Sequence, residues 1–125
     1  MPASADRIRQ VVDDYIRLVG SGTADEIVAL YAEDATVEDP VGTDVRTGHA
    51  AIREFYATLE GLQQETKLIA ARIAGGEASF LFEIITRAGD KTYTLAPIDA
   101  MTFDDEGLIT SMKAYWNAET DMTIS

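Results

Sequence analysis

The chain has 125 residues, 46% apolar and 26% charged, a composition typical of one globular domain with a single hydrophobic core. Its formal net charge of −12 argues against binding to nucleic acid or an anionic membrane, because both partners require a basic face. With no cysteine and one histidine, the chain cannot form a disulfide, a zinc-thiolate site, a catalytic thiol or a histidine metal cluster of its own.

The first part of the chain predicts two helices in succession. Ser4 is a suitable N-cap for the first, whose apolar residues recur at helical spacing until Gly20: Ile8, Val11, Val12, Tyr15, Ile16 and Val19. The stretch "TADE" at residues 23–26 has the form of a capping box, in which Thr23 and Glu26 satisfy each other's amide donors. It begins a second helix that carries Ile27, Val28, Leu30 and Tyr31.

A strand over residues 35–39 comes next, followed by a loop with Pro40, Gly42 and Gly48. A third helix then presents four apolar residues on one side: Ile52, Phe55, Tyr56 and Leu59. The rest of the chain predicts strands near residues 66–74, 78–87, 91–103 and 108–117, separated by the turn signals "AGG", "AGD" and "DDEG".

Helices followed by strands indicate an α+β fold. We expect three N-terminal helices packed on a strongly curved, mostly antiparallel sheet, which forms a cone with an apolar small-molecule pocket. No repeat or linker divides the chain, so residues 1–125 are predicted to be one domain. No stretch has the apolar length of a signal peptide or a membrane span, which predicts a cytoplasmic protein. A glycine-rich phosphate loop is also missing from the sequence, since "AGGE" lacks its spacing.

Two carboxylates fall on strand faces that otherwise hold apolar residues. Asp39 shares a face with Ala35 and Val37, and Asp99 shares one with Met101, unless a bulge at Pro97 shifts that pattern. An ionised carboxylate without a partner is costly to bury, and the usual response is a raised pKa. The plainer alternatives are an exposed turn residue before proline for Asp39 and an edge or hydrogen-bonded core position for Asp99.

Aromatic residues accompany these acids. Tyr15, Tyr31 and Tyr56 each fall on the apolar stripe of a different predicted helix, and Trp116 shares strand parity with Met112. Each alone is consistent with an ordinary core residue. Together, two acids in dry surroundings and several inward tyrosines are what proton transfer next to a carbonyl requires: a base that removes the proton and donors that stabilise the enolate oxygen.

The motifs "YAEDATVEDPVG", "GHAAIREFYA", "APIDAMTF" and "MKAYW" closely resemble, in this order, the bacterial steroid Δ-isomerase (ketosteroid isomerase) family. The resemblance covers most of the chain and is weakest at about residues 60–90 and at the last several residues. It implies the cone-shaped fold shared with scytalone dehydratase and a nuclear transport factor. It also implies a homodimer, a steroid substrate, and neither a metal nor a cofactor.

By motif position, the resemblance implies that Asp39 is the general base and that Tyr15 and a protonated Asp99 bind the oxyanion. The family pairs a base of modestly raised pKa with an acid donor of strongly raised pKa. Tyr31 and Tyr56 match the tyrosines that extend the hydrogen-bond chain behind Tyr15. For the substrate pocket we expect three side chains: Trp116, Met112 and Met101.

The predicted reaction converts a 3-oxo-Δ5-steroid into its conjugated 3-oxo-Δ4 isomer through a dienolate. Two alternatives remain at this point. One is a cyclase- or dehydratase-like enzyme of the same fold, for which we would expect additional histidines or a different carboxylate position. The other is a non-catalytic binding module for apolar small molecules, whose binding would tolerate the loss of Asp39.

Overall fold

The structure is a computed structural model that describes residues 2–125. Within these residues lie four helices: α1 (Ala5–Ser21), α2 (Ala24–Val28), α3 (His49–Ala57) and α4 (Ala118–Asp121). They are accompanied by eight strands: β1 (Tyr31–Glu38), β2 (Arg46–Thr47), β3 (Gln63–Ala74), β4 (Glu77–Ala88), β5 (Lys91–Leu95), β6 (Ile98–Phe103), β7 (Ile109–Tyr115) and β8 (Met122–Ile124). The predicted α+β class is confirmed.

The strands form one mixed sheet in the order β2-β1-β7-β6-β4-β5-β8, with β3 paired to the other side of β4. Strands β1 and β7 run parallel, and every other strand pair within residues 2–125 is antiparallel, as predicted for most of the sheet. Strand β4 organises the sheet, because its first half pairs with β6 and its second half pairs with β5.

Hydrogen bonds between nearby residues cap the N-termini of α1 and α2. The Ser4 side chain accepts a hydrogen bond from the Arg7 amide, and Thr23 and Glu26 form the predicted capping box. Gly20 does not end α1, which continues to Ser21. Its role is to let strand β3 approach, because a Cβ at this position would lie 2.8 Å from Oγ1 of Thr66.

Two predicted elements need correction. Leu30 and Tyr31 do not continue α2: the Leu30 carbonyl accepts a hydrogen bond from the Ile109 amide, and Tyr31 pairs with Ile109 as the first residue of β1. Tertiary pairing with β7 therefore overrides the helical spacing of these residues. Residues 91–103 do not form one strand either, because Ala96 and Pro97 interrupt the strand and separate β5 from β6. Proline lacks the amide that would continue the ladder.

The core lies between the helices and one face of the sheet. Helix α1 packs on β3 and β4, and α3 packs on β1 and β2. The fully buried large side chains include Tyr31, Tyr56, Phe80 and Phe82. The two layers do not close completely, and a cavity remains between them. None of the helices within residues 2–125 combines the length and apolar composition needed to cross a bilayer.

Candidate active site

The cavity between the helices and the sheet has a volume of about 300 Å³. Its walls are mostly apolar, and nine side chains form them: Val19, Phe55, Leu59, Leu62, Phe82, Ile84, Leu95, Pro97 and Met122. Polar side chains occur in two groups. One comprises Tyr15, Asp39, Tyr56, Asp99 and Trp116; the other comprises Gln64, Thr86 and Tyr93. A mostly apolar cavity with few polar groups is the usual form of a small-molecule site.

Asp39 lies directly after β1, where the parallel pairing with β7 brings it next to the end of that strand. Glu38 pairs with Lys113, and the Val41 amide donates to the Ala114 carbonyl at 2.8 Å. Trp116 follows β7, and its indole Nε1–H donates to Oδ1 of Asp39 at 2.9 Å. The carboxylate is therefore oriented by a residue 77 positions away in sequence.

Burial raises the pKa of the Asp39 carboxyl above its ordinary value of 3.8. Two interactions partly offset this effect: the hydrogen bond from Trp116 and the positive charge of Arg46 both stabilise the ionised form. A half-buried carboxylate with a raised pKa is a better proton acceptor than an exposed one, and it remains in contact with the cavity.

Asp99 lies on β6, between Phe80 of β4 and Ala114 of β7. It is 1% exposed, and its Oδ1 has no hydrogen-bond partner within residues 2–125. Burial, reinforced by the negative charge of Asp39, raises the pKa of Asp99 well above 3.8. A neutral carboxyl carries one O–H donor, and Asp99 lines the cavity. The group is thus suited to donate a hydrogen bond to a ligand.

Three tyrosine hydroxyls form a buried chain that ends at the cavity. The hydroxyls of Tyr31 and Tyr56 are 2.7 Å apart, and those of Tyr56 and Tyr15 are 3.0 Å apart. Burial raises the pKa of all three well above 10.0, so the hydroxyls keep their protons. Tyr15 and Tyr56 line the cavity, whereas Tyr31 lies behind Tyr56.

The structure brings most of the predicted site residues together. Tyr15, Asp39, Asp99, Tyr56 and Trp116 all line one cavity, and Tyr31 reaches it through Tyr56. Their catalytic roles stay predictions.

Met101 and Met112, which we expected on the pocket wall, are not among the residues that line the cavity. They pair with each other across β6 and β7, and each is 1% exposed within the core. Both methionines do lie on the inward face, but strand parity predicts the face of a side chain and not its depth along the strand.

No sequence pattern points to Arg46, which the structure brings close enough for its charge to act on Asp39. Its guanidinium carbon lies 4.4 Å from the ring centroid of Phe55, a cation–π contact on the back of a cavity residue. Its Nη1 is buried and has no hydrogen-bond partner within residues 2–125. Arg46 begins β2, a strand of two residues that is too short to show periodicity, so only a three-dimensional contact could reveal it.

The second polar group was also missed. Gln64 and Tyr93 stand in strands whose alternating pattern is consistent with ordinary surface residues. Among residues 2–125, no three histidine, cysteine or acidic side chains are grouped so that they could hold a metal ion.

The sequence profile of the SnoaL-like domain family matches residues 12–112. The chain is similar to a "Steroid Delta-isomerase" of Nocardioides simplex, with 48% identity over 118 residues, which are 94% of this chain and 95% of that protein. It is also similar to the solved structure of SalBIII, an epoxide hydrolase/cyclase-like enzyme of pyran ring formation in the polyether salinomycin. That structure has a TM-score of 0.87 at 28% identity and covers 96% of this chain and 97% of its own. RV0760c from Mycobacterium tuberculosis has a TM-score of 0.88 at 20% identity over 98% of this chain and 99% of its own, a likeness of fold alone.

Proposed function

The chain belongs to the SnoaL-like domain family, and we propose that it is a steroid Δ-isomerase that converts 3-oxo-Δ5-steroids into 3-oxo-Δ4-steroids. The relative named for this activity, 48% identical over nearly the whole chain, agrees with the resemblance drawn from the motifs. The observation that carries the proposal is one mostly apolar cavity whose lining combines the half-buried carboxylate of Asp39, the fully buried carboxyl of Asp99 and the hydroxyl of Tyr15.

In this proposal, Asp39 moves the proton. Its carboxylate removes a proton from the carbon between the ketone and the double bond, and the electron pair shifts towards the ketone oxygen to form a dienolate. The protonated Asp39 then returns the proton two carbons further on, which restores the ketone and leaves the double bond conjugated. One carboxylate serves both steps, so its raised pKa favours the first transfer without preventing the second.

Tyr15 and Asp99 hold the oxygen on which the negative charge develops. Asp99 donates as a neutral acid, which its burial supports, and Tyr15 donates its hydroxyl proton. Both donors are fixed in an apolar site before the substrate arrives, so little reorganisation is needed when the charge forms. The apolar walls bind the ring skeleton and exclude water, which strengthens the hydrogen bonds to the oxyanion.

The tyrosine chain sets the direction of the hydrogen bonds. A hydroxyl has one proton to donate. If Tyr15 donates to the substrate oxygen, Tyr56 donates to Tyr15, and Tyr31 donates to Tyr56. The two outer tyrosines then increase the donor strength of Tyr15 through a polarised chain.

We also propose that the protein is a homodimer formed through the outer face of the sheet. Leu81, Ile98 and Tyr115 are neighbours across β4, β6 and β7, and the last two are 47% and 48% exposed. Ile69, beside the bulge of β3, extends this apolar row. A contiguous row of exposed apolar side chains is typical of a surface that a second copy covers.

The direct test is isomerisation of a Δ5-3-ketosteroid, followed through the absorbance of the conjugated enone, with Asp39→Asn alongside. We expect turnover by the wild type and its near loss in the variant. If the wild type is no faster than Asp39→Asn while both still bind the steroid, the protein is a binding module. If neither converts the steroid but the wild type opens an epoxide or closes a ring, the SalBIII-like alternative is correct.

A further inference from the structure

We propose that the second polar group of the cavity, formed by Gln64, Thr86 and Tyr93, is a recognition site for an acceptor oxygen at the end of the steroid remote from the reacting ketone. This inference rests on the proposed function and names a feature of the substrate that the reaction itself does not require.

The sheet places the two polar groups at opposite ends of the cavity. Phe80 pairs with Asp99, and six residues further along β4 Thr86 pairs with both Gln64 and Tyr93. At about 3.3 Å per residue, the backbone rows are separated by at most roughly 20 Å, because twist shortens a strand.

The rows between these two ends are apolar. Ile84 pairs with Leu95, which pairs with Met122, and all three line the cavity. One step nearer to Asp99, the Phe82 amide donates to the Pro97 carbonyl, and both residues line the cavity as well. A rigid fused-ring skeleton can fill this apolar section of the cavity. If its ketone lies at Asp99, its other end points towards Thr86.

The hydrogen-bond pattern at that end is prepared for a ligand. Gln64 Nε2 donates to Thr86 Oγ1 at 3.0 Å, and both side chains are half-buried. Since the threonine oxygen accepts this bond, its own proton is not used in it and can be donated to a ligand. Gln64 retains a second amide proton, and Tyr93 adds a hydroxyl at the same row. Donors held in place before binding lose little entropy when they engage a ligand.

The chemistry of the site therefore favours an oxygen that accepts hydrogen bonds, such as a ketone or hydroxyl on the terminal five-membered ring. A contact far from the reacting carbons is made equally in the ground state and the transition state, so its effect belongs in KM and not in kcat.

The test compares 5-androstene-3,17-dione with 5-androsten-3-one, which lacks the distal oxygen, in the wild type and in Thr86→Val. We expect the ratio of kcat/KM between the two steroids to fall by about 3- to 10-fold in Thr86→Val, through KM, as for the loss of one hydrogen bond. Thr86→Ser keeps the hydroxyl and should keep the ratio. Thr94→Val makes the same substitution on β5 outside the cavity lining and should also keep it.

An equal ratio in the wild type and Thr86→Val, with both steroids turned over, overturns the inference and leaves the proposed function intact. If neither steroid is turned over, the proposed function fails, and binding then decides the inference separately. Estrone and 17-deoxyestrone, titrated against the fluorescence of Trp116, the single tryptophan, should differ in affinity in the wild type by more than in Thr86→Val. Equal differences in both proteins overturn the inference.

Discussion

Replacing Asp99 by asparagine tests whether this carboxyl is neutral in the folded protein. Asparagine has nearly the same shape, keeps a hydrogen-bond donor and does not ionise. Asp99 is 1% exposed, its Oδ1 has no partner within residues 2–125, and burial raises its pKa well above 3.8. In the unfolded chain the carboxyl has an ordinary pKa. Above that value the unfolded state therefore loses a proton that the folded state keeps.

The sign and size of the effect on stability follow from this difference. Where the unfolded state binds fewer protons, the free energy of unfolding falls as pH rises, by about 1.4 kcal/mol per pH unit for one group. This loss begins near the unfolded pKa and ends at the raised pKa of the folded protein. Asp99→Asn lacks this contribution. Its free energy of unfolding, minus that of the wild type, should therefore increase with pH between pH 5 and pH 7, by up to about 1.4 kcal/mol per pH unit while the folded carboxyl keeps its proton.

The measurement is urea unfolding at pH 5, 6 and 7, followed by the fluorescence of Trp116 at one fixed protomer concentration, because association changes apparent stability. Asp44→Asn, at an exposed loop position, is the matched control and should show no such trend. A difference between Asp99→Asn and wild type that stays constant from pH 5 to pH 7 would mean that Asp99 is already ionised at pH 5 in the fold. That result would refute its assignment as a neutral donor.

Three further predictions follow from the site and the sheet. Tyr15→Phe should lower kcat by about 100- to 1,000-fold with little change in KM, and Tyr56→Phe should lower it less; a loss confined to KM would contradict a role at the oxyanion. Trp116→Phe and Arg46→Met should each raise the pKa of Asp39 and so move the acid limb of the pH profile of kcat/KM to higher pH, Trp116→Phe more than Arg46→Met. An acid limb that does not move would show that these two contacts do not lower the pKa of Asp39. Sedimentation velocity should find a dimer that Ile98→Glu dissociates. Ile124→Glu, at another exposed isoleucine that lies outside the row, should leave the dimer intact. A wild-type monomer would exclude the proposed interface.

Much of the fold was predictable because the apolar residues follow regular periods. The spacing of Ile8, Val11 and Tyr15 reports the buried face of α1 directly, and the capping box at Thr23 satisfies its own amides locally. Tyr31 was misassigned because its place depends on β7, about 80 residues later, whose pairing no local pattern encodes. Local sequence patterns predict that a helix or strand forms, whereas pairing with residues distant in sequence decides where that helix or strand ends.

The candidate site was predictable for a related reason. Asp39 and Asp99 interrupt apolar faces, and an interruption of this kind is visible in sequence. The contacts that adjust them are not visible there. The hydrogen bond from the Trp116 indole and the charge of Arg46 depend on how β1, β2 and β7 approach one another. Met101 and Met112 illustrate the same limit, since alternation gives the inward face but not the distance from the cavity.

The interruption between β5 and β6 at Pro97 divides the inner wall into two sections that lean on the same long strand. Asp99 stands on one section, in β6, while the second polar group and its apolar neighbours stand on β5, β8, the start of β3 and the end of β4. Substitutions in the second section can therefore change which substituents a ligand can carry at that end while Tyr15, Asp39 and Asp99 keep their positions.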